Sequence, residues 1–289
     1  AIYRDLRQNG RKGFFQIIPV AVTHEYIFEE LKKKRQLAIM YENKRENFLC
    51  KHCNILYKGL GVEGYIDIQK VKECKREKTD EWWQGRRVWV GLDLSQTDDN
   101  TAVAMVTEEE GFVYARIVGF LPTDKIEIKS AKEFVDYQRL INLGECVACG
   151  DEVIDYTKVE DFIKELSNKY GVEVQQVGYD KWNAIATVQR LEQDGFTCVE
   201  IKQHSSVLHA PTKLLKELIL SKKFEYDASR LLEINFQNAR CTEDTNLNKY
   251  VNKKKSVGKV DMVVALLNAI YLLQQELLYG DNNFTVQTV

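Results

Sequence analysis

At 289 residues and 44% hydrophobic content, the chain can bury one large core, or one domain plus a smaller piece. Its 41 Lys and Arg against 43 Asp and Glu leave a net charge of −2, which excludes a uniformly basic coat, so any nucleic-acid surface has to be local. The longest apolar stretches, such as Met262 to Leu273, are read as too short and interrupted to span a bilayer, and the charged opening Ala1-Ile2-Tyr3-Arg4-Asp5 lacks a signal-peptide core.

Seven cysteines, an odd number scattered through a chain with three prolines, fit a reducing compartment better than a disulfide framework. The expectation is a cytoplasmic protein with no membrane partner. Position 1 is not Met, which reads as a processed or excised fragment.

In chain order, residues 1–85 carry basic runs (Lys32-Lys33-Lys34-Arg35 and Lys70 to Lys78) and helical patterning from Glu25 to Tyr41. No clean strand–helix alternation appears there, so the segment reads as a largely helical appendage. From 86 to 289 the pattern sharpens into a second domain. Val88 to Leu94 is a short apolar run with strand character, followed by β-rich runs at Thr101–Thr107 and Gly111–Phe120. The turn Glu108-Glu109-Glu110-Gly111 joins the last two as an antiparallel hairpin.

Helical spacing predicts helices over Lys129–Leu143 and Lys158–Tyr170, then a strand over Val172–Tyr179 that ends on Asp180. Further helices are predicted at Asn183–Gln193 (closed by Gly195), at Pro211–Leu220 with the proline in the first turn, and at Ala228–Asn238. Thr197–Ile201 reads as a strand and Cys241–Val251 as extended. Val260–Leu278 is a long apolar helix, and residues from Asp281 on read as a loose tail. The order implies an α/β domain, a mixed sheet flanked by helices.

Three acids stand out against this pattern. Asp93 sits in or at the end of the first apolar strand, Asp180 ends the fourth, and Asp261 opens the final helix. A buried, unpaired carboxylate costs several kcal/mol, so each of the first two has to be solvated, paired or bound to a metal. Asp261 alone reads equally as helix-dipole stabilisation. Together, two strand ends and a helix start make a more specific signal. Mg²⁺ or Mn²⁺ wants oxygen ligands, and two such ions about 4 Å apart suit phosphodiester hydrolysis. Asp99, in the turn after the first strand, is a further candidate ligand; Asp98 beside it reads as an ordinary turn residue. Lys253, Lys254, Lys255 and Lys259 form a local positive patch suited to a DNA backbone. Trp182 reads more readily as packing than as a base-stacking residue.

At these residues a resemblance enters. Gly91-Leu92-Asp93-Leu94-Ser95-Gln96-Thr97-Asp98-Asp99-Asn100-Thr101-Ala102 resembles the first nuclease motif of the large terminase subunit of tailed bacteriophages. Gly178-Tyr179-Asp180-Lys181-Trp182-Asn183 is similar to the second, and Lys259-Val260-Asp261-Met262-Val263-Val264-Ala265 to the third. The similarity runs from about Val88 to Leu278.

The resemblance implies an RNase H-like nuclease that cuts concatemeric double-stranded viral DNA into genome lengths with divalent metal, in the host-cell cytoplasm. Asp93, Asp180 and Asp261 would be its metal ligands, and residues 1–85 the end of an ATPase region and linker. It implies a small terminase subunit and a portal protein as partners. Two departures stand against the family pattern. No Gly-x-x-x-x-Gly-Lys-Ser/Thr phosphate loop occurs in the chain, so ATP hydrolysis by that route is not expected of it. The second acid is Asp where much of the family has Glu, and the shorter side chain changes the metal spacing.

Rival readings are few. Cys50-Lys51-His52-Cys53 and Cys146-Val147-Ala148-Cys149 are zinc-type pairs, but more than 90 residues apart, and free thiols fit better. His204 and His209 read as surface or helix-start residues rather than ligands. A sugar-kinase or actin-like ATPase needs glycine-rich phosphate loops that are missing here. A resolvase- or transposase-type nuclease, or a catalytically idle DNA-binding assembly module, remain the alternatives.

Overall fold

The computed structural model describes residues 24–40, 48–49, 51–53, 64–95, 100–181 and 183–279. The chain divides into two compact units, Ala1–Asp67 and Ile68–Val289. In the first, helix α1 (Glu25–Met40) buries Phe28, Leu31 and Ala38. Its polar face carries Glu29–Lys32 and Glu30–Lys33 pairs one turn apart.

The second unit begins with helix α2 (Ile68–Lys72) and a 3₁₀ turn at Asp80–Trp83. Segment 68–85 packs with this unit because Trp83 is fully buried in its core. The sheet then opens with β1 (Arg87–Asp93), β2 (Thr101–Glu109) and β3 (Phe112–Leu121), all antiparallel neighbours. Glu110 and Gly111 both take positive φ (52° and 79°), the conformation a tight two-residue hairpin turn requires.

Two short helices follow, α3 (Ile126–Glu133) and α4 (Tyr137–Asn142). The sequence predicts one helix here. It is broken because Phe134 turns left-handed (φ 55°) and the Asp136 side chain caps α4 by accepting from the Arg139 amide. Strand β4 (Cys146–Ala148), not anticipated, joins β3 in parallel.

Helix α5 (Tyr156–Tyr170) has Asp155 as its N-cap and left-handed Gly171 as its stop. Strand β5 (Glu173–Tyr179), helix α6 (Ile185–Gln193) and strand β6 (Cys198–Glu200) complete the parallel side of the sheet. Helix α7 runs Ser205–Leu220 and starts six residues before Pro211, with His204 as its cap. Pro211 therefore lies inside the helix, not in its first turn. Strand β7 (Phe224–Tyr226), also unanticipated, pairs in parallel with the start of β3. Helix α8 (Arg230–Asn238), the hairpin β8 (Cys241–Glu243) and β9 (Lys249–Val251), and helix α9 (Asp261–Tyr279) end the described chain.

The sheet order is β4-β3-β2-β1-β5-β6, with β7 on the same edge of β3 as β4. Alternation along β1 decides what each face meets. Val88, Val90 and Leu92 point into a core shared with Val159, Ile163 and Leu166 of α5 and Val188 and Leu191 of α6. Trp89, Gly91 and Asp93 face the other way, toward α9. A Cβ on Gly91 would lie 2.0 Å from the Ala265 carbonyl oxygen, so helix and strand backbones are nearly in contact there. Small residues on both sides permit this: Ala104 is paired with Gly91 and Ala102 with Asp93 on the sheet, and Ala265 and Ala269 lie on the helix.

Helix α9 is long and apolar enough, by length and composition, to cross a membrane, contrary to the expectation that no stretch would be. Its apolarity has a local cause, because every residue from Asp261 to Ile270 is buried against the sheet and the neighbouring helices. The helix runs antiparallel to β1. Glu276 pairs with Arg87 at the strand's start (2.9 Å), and Asn268 donates to the Leu92 carbonyl (2.8 Å) further along. Fifteen residues of helix from Asp261 to Glu276 rise about 22 Å, and six of strand from Arg87 to Asp93 about 20 Å. The helix start is thus carried to the strand's end, where Asp93 lies.

Candidate nuclease site

The register brings the first two acids together. Val90 pairs with Val177 and Gly91 with Gly178 in parallel, and two residues on in the same register are Asp93 and Asp180. Both occupy the carboxyl ends of adjacent parallel strands, where ligands gather in α/β sheets. Asp93 and Asp180 line one cavity of about 290 Å³, together with Gln203, Tyr250, Asn252, Lys253 and Lys254. Asp261 arrives from the N-terminus of α9, whose Met262 amide is capped by Asn235 Oδ1 (3.1 Å).

Asp93 and Asp261 are 3% and 2% exposed, and both are held among groups that expect negative charge. The Asn100 amide donates to Asp261 Oδ2 (3.2 Å), and the Asn100 side chain is in turn fixed on the Tyr137 hydroxyl (2.9 Å). Burial pushes the Asp93 carboxyl up to about 7; the neighbouring charges of Asp261 and Asp180 add to that rise, and Lys253 opposes it.

Lys253 stands between the acids. It opens a 3₁₀ turn directly after the β8–β9 hairpin, and its Nζ lies 2.5 Å from Asp93 Oδ2 and 3.3 Å from Asp261 Oδ1. The first contact is a close ion pair between a buried carboxylate and an ammonium. Burial works to lower the Lys253 pKa, but the two carboxylates outweigh it and raise the value above the ordinary lysine range.

The donor set suits a hard divalent ion. The groups that meet around Lys253 are carboxylate oxygens, and a cation already sits 2.5 Å from the buried Asp93 Oδ2. Among the described residues, no three His, Cys, Asp or Glu side chains close around a single point. Asp93 and Asp261 converge with Lys253 between them, and Asp180 faces the same cavity from the next strand.

The other sequence candidates scatter. Lys253, expected on a DNA backbone, lies inside the acid site instead. Lys254 lines the cavity, Lys255 is exposed and Lys259 is half-buried just before α9. Asp98, Asp99, Trp182 and Cys50 lie outside the described residues. His204 caps α7 by accepting from the Ser206 amide (3.3 Å), and His209 Nδ1 accepts from the Lys249 amide (2.9 Å), tying α7 to the hairpin. Cys146 and Cys149 are buried free thiols, with Cys146 pushed up to about 12 by burial. Asn100 and Asn268 went unnoticed in the sequence. The first directly precedes β2, and the second is a lone amide in an apolar helix, which is a signal in itself.

Residues 18–276 match the family model for the terminase large subunit, endonuclease domain. The chain belongs to this family. Relatives include the terminase large subunit of Lactococcus phage SK1, 25% identical over 64% of this chain and 35% of its own length. That of Enterobacteria phage HK97 is 22% identical over 64% of this chain and 37% of its own. The chain thus spans little more than a third of the relatives it matches. The crystal structure of the HK97 bacteriophage large terminase superposes with a TM-score of 0.66 at 18% identity, covering 84% of this chain and 50% of that one. The family and this likeness make the fold the RNase H-like α/β fold of large terminase nuclease domains.

Proposed function

We propose that this chain is a metal-dependent endonuclease that cuts concatemeric double-stranded viral DNA during genome packaging, with Asp93, Asp180 and Asp261 as its metal-binding carboxylates. The observation that carries the reading is that Asp93 meets Asp261 across Lys253 and shares a cavity with Asp180, in a chain of the terminase endonuclease family. When bound, two Mg²⁺ or Mn²⁺ ions supply Lewis acidity to the attacking and leaving oxygens of a phosphodiester.

The chain's own residues do the rest. Asp93 and Asp261 offer oxygens from a nearly dry wall, where electrostatic attraction is least screened. Asn100 and Asn268 hold the two elements that carry them. Lys254 lines the cavity, and with Lys255 and Lys259 in the same segment it suits the DNA backbone, which a protein of net charge −2 has to meet locally. Membership of the family favours this reading over a resolvase or transposase. The end of an ATPase region and linker, expected over residues 1–85, would stop near Asp67, because residues 68–85 belong to the nuclease unit; a small terminase subunit and portal protein are the partners that follow from the reading.

The test is plasmid cleavage by this chain. Nicking and linearisation with Mg²⁺ or Mn²⁺, suppressed by EDTA, are expected. A folded chain that cuts nothing under either metal would favour an idle assembly module.

A further inference from the structure

We infer that Lys253 is a built-in stand-in for a divalent ion: its ammonium occupies a metal seat between Asp93 and Asp261, and metal binding is an exchange that drives it out. This rests on the reading of Asp93 and Asp261 as metal ligands.

Two carboxyl groups that are almost wholly buried can both stay ionised only beside a cation; without one, their repulsion drives a proton onto one of them. Lys253 supplies that cation, at 2.5 and 3.3 Å. Its placement is built rather than incidental. Val251 is buried at the end of β9, and the Asn252 amide donates to the Arg240 carbonyl (2.9 Å). Asn252 Oδ1 then accepts from the Lys254 amide (3.0 Å), fixing the turn that aims Lys253 inward. His209 holds the other end of β9 to α7.

A divalent ion and an ammonium cannot share this seat, since both would lie within a few ångströms of the same oxygens. The lysine also has somewhere to go. Its side chain is 39% exposed and borders the open cavity, so rotation of its flexible stem carries the charge outward without unfolding the turn. The displaced charge then stands at the cavity mouth, beside Lys254, where a DNA phosphate would lie. The exchange ties a metal-free, self-neutralised site to a metal-loaded one with an extra cation free for the substrate.

The test is Mn²⁺ binding by calorimetry without DNA, on the chain itself and on Lys253→Met, Lys253→Gln, Lys254→Met and Asp93→Asn. Removing the occupant is expected to tighten Mn²⁺ binding by about tenfold or more in both Lys253 variants, while lowering the metal-free melting temperature. Lys254→Met removes the same charge from the same cavity but not from the seat, and is expected to change affinity less than about threefold. Asp93→Asn is expected to abolish binding at this seat. If the parent binds Mn²⁺ and Asp93→Asn does not, yet the Lys253 variants bind no tighter than Lys254→Met, the exchange is overturned while the ligand assignment stands. If Asp93→Asn binds as the parent does, or no form binds, the ligand assignment falls and the exchange with it.

Discussion

Asp93→Asn and Asp261→Asn are each expected to lower metal-dependent DNA cleavage by at least about 100-fold while leaving the chain folded. The rate loss follows from charge. A neutral amide is a poor ligand for a hard divalent ion, and transition-state stabilisation worth several kcal/mol goes with it, each 1.4 kcal/mol being tenfold in rate. The fold survives because the substitutions are nearly isosteric and remove a charge that the interior tolerates badly: burial already pushes the Asp93 carboxyl up to about 7. Lys253 loses one partner but keeps the other, and its partly exposed side chain can turn to water. Single-turnover plasmid cleavage, with a thermal melt of each variant, checks both halves. A variant that melts normally and cuts like the parent would remove that residue from the site.

Gly91→Ala is expected to destabilise the nuclease unit by about 3 kcal/mol, a fall of roughly 6–12 °C in melting temperature for a unit of this size. The added methyl would meet the Ala265 carbonyl oxygen at 2.0 Å and the Ala269 amide nitrogen at 2.5 Å. Both are backbone atoms of α9, so no side chain can swing aside, and the helix has to lift. That movement also loosens the Asn268 bond to the Leu92 carbonyl, which keys the helix along the strand. Because Asp93 follows Gly91 by two residues and Asp261 begins the helix, whatever cleavage remains at a permissive temperature is expected to fall as well. Calorimetric melting and cleavage rate on the same sample check this. An Ala variant as stable as the parent would mean that the close approach of α9 to β1 does not position the site.

The architecture was legible where one physical rule dominated a long segment. Strand β1 read clearly because it is an apolar run that breaks its own pattern with an aspartate at its end, and β5 from its spaced valines and the aspartate just beyond it. Helix α9 read clearly from composition, since a helix covered on all sides has to be apolar all round. Strands β4 and β7 were missed because three residues at a sheet edge leave no periodicity to detect. The break between α3 and α4 turns on Phe134 in a left-handed conformation, with no glycine to announce it. Pro211 misled because proline usually marks a first turn, whereas here the polar His204 cap begins the helix earlier.

At the site, Asp93 stood out in the sequence as an acid in an apolar strand, and it is buried in the structure, but the lysines were not separable. Three consecutive lysines announce a basic patch, and which of them turns inward is decided by the 3₁₀ turn after the hairpin and by the Asn252 cap. No spacing rule carries that information.

The most direct measurement is the anomalous diffraction of manganese in crystals of this chain soaked with Mn²⁺. The account predicts a peak between Asp93 and Asp261, a second carboxylate-bound peak shared with Asp180, and Lys253 Nζ moved out toward the cavity mouth. Manganese bound elsewhere, or absent from these carboxylates at saturating concentration, would contradict it.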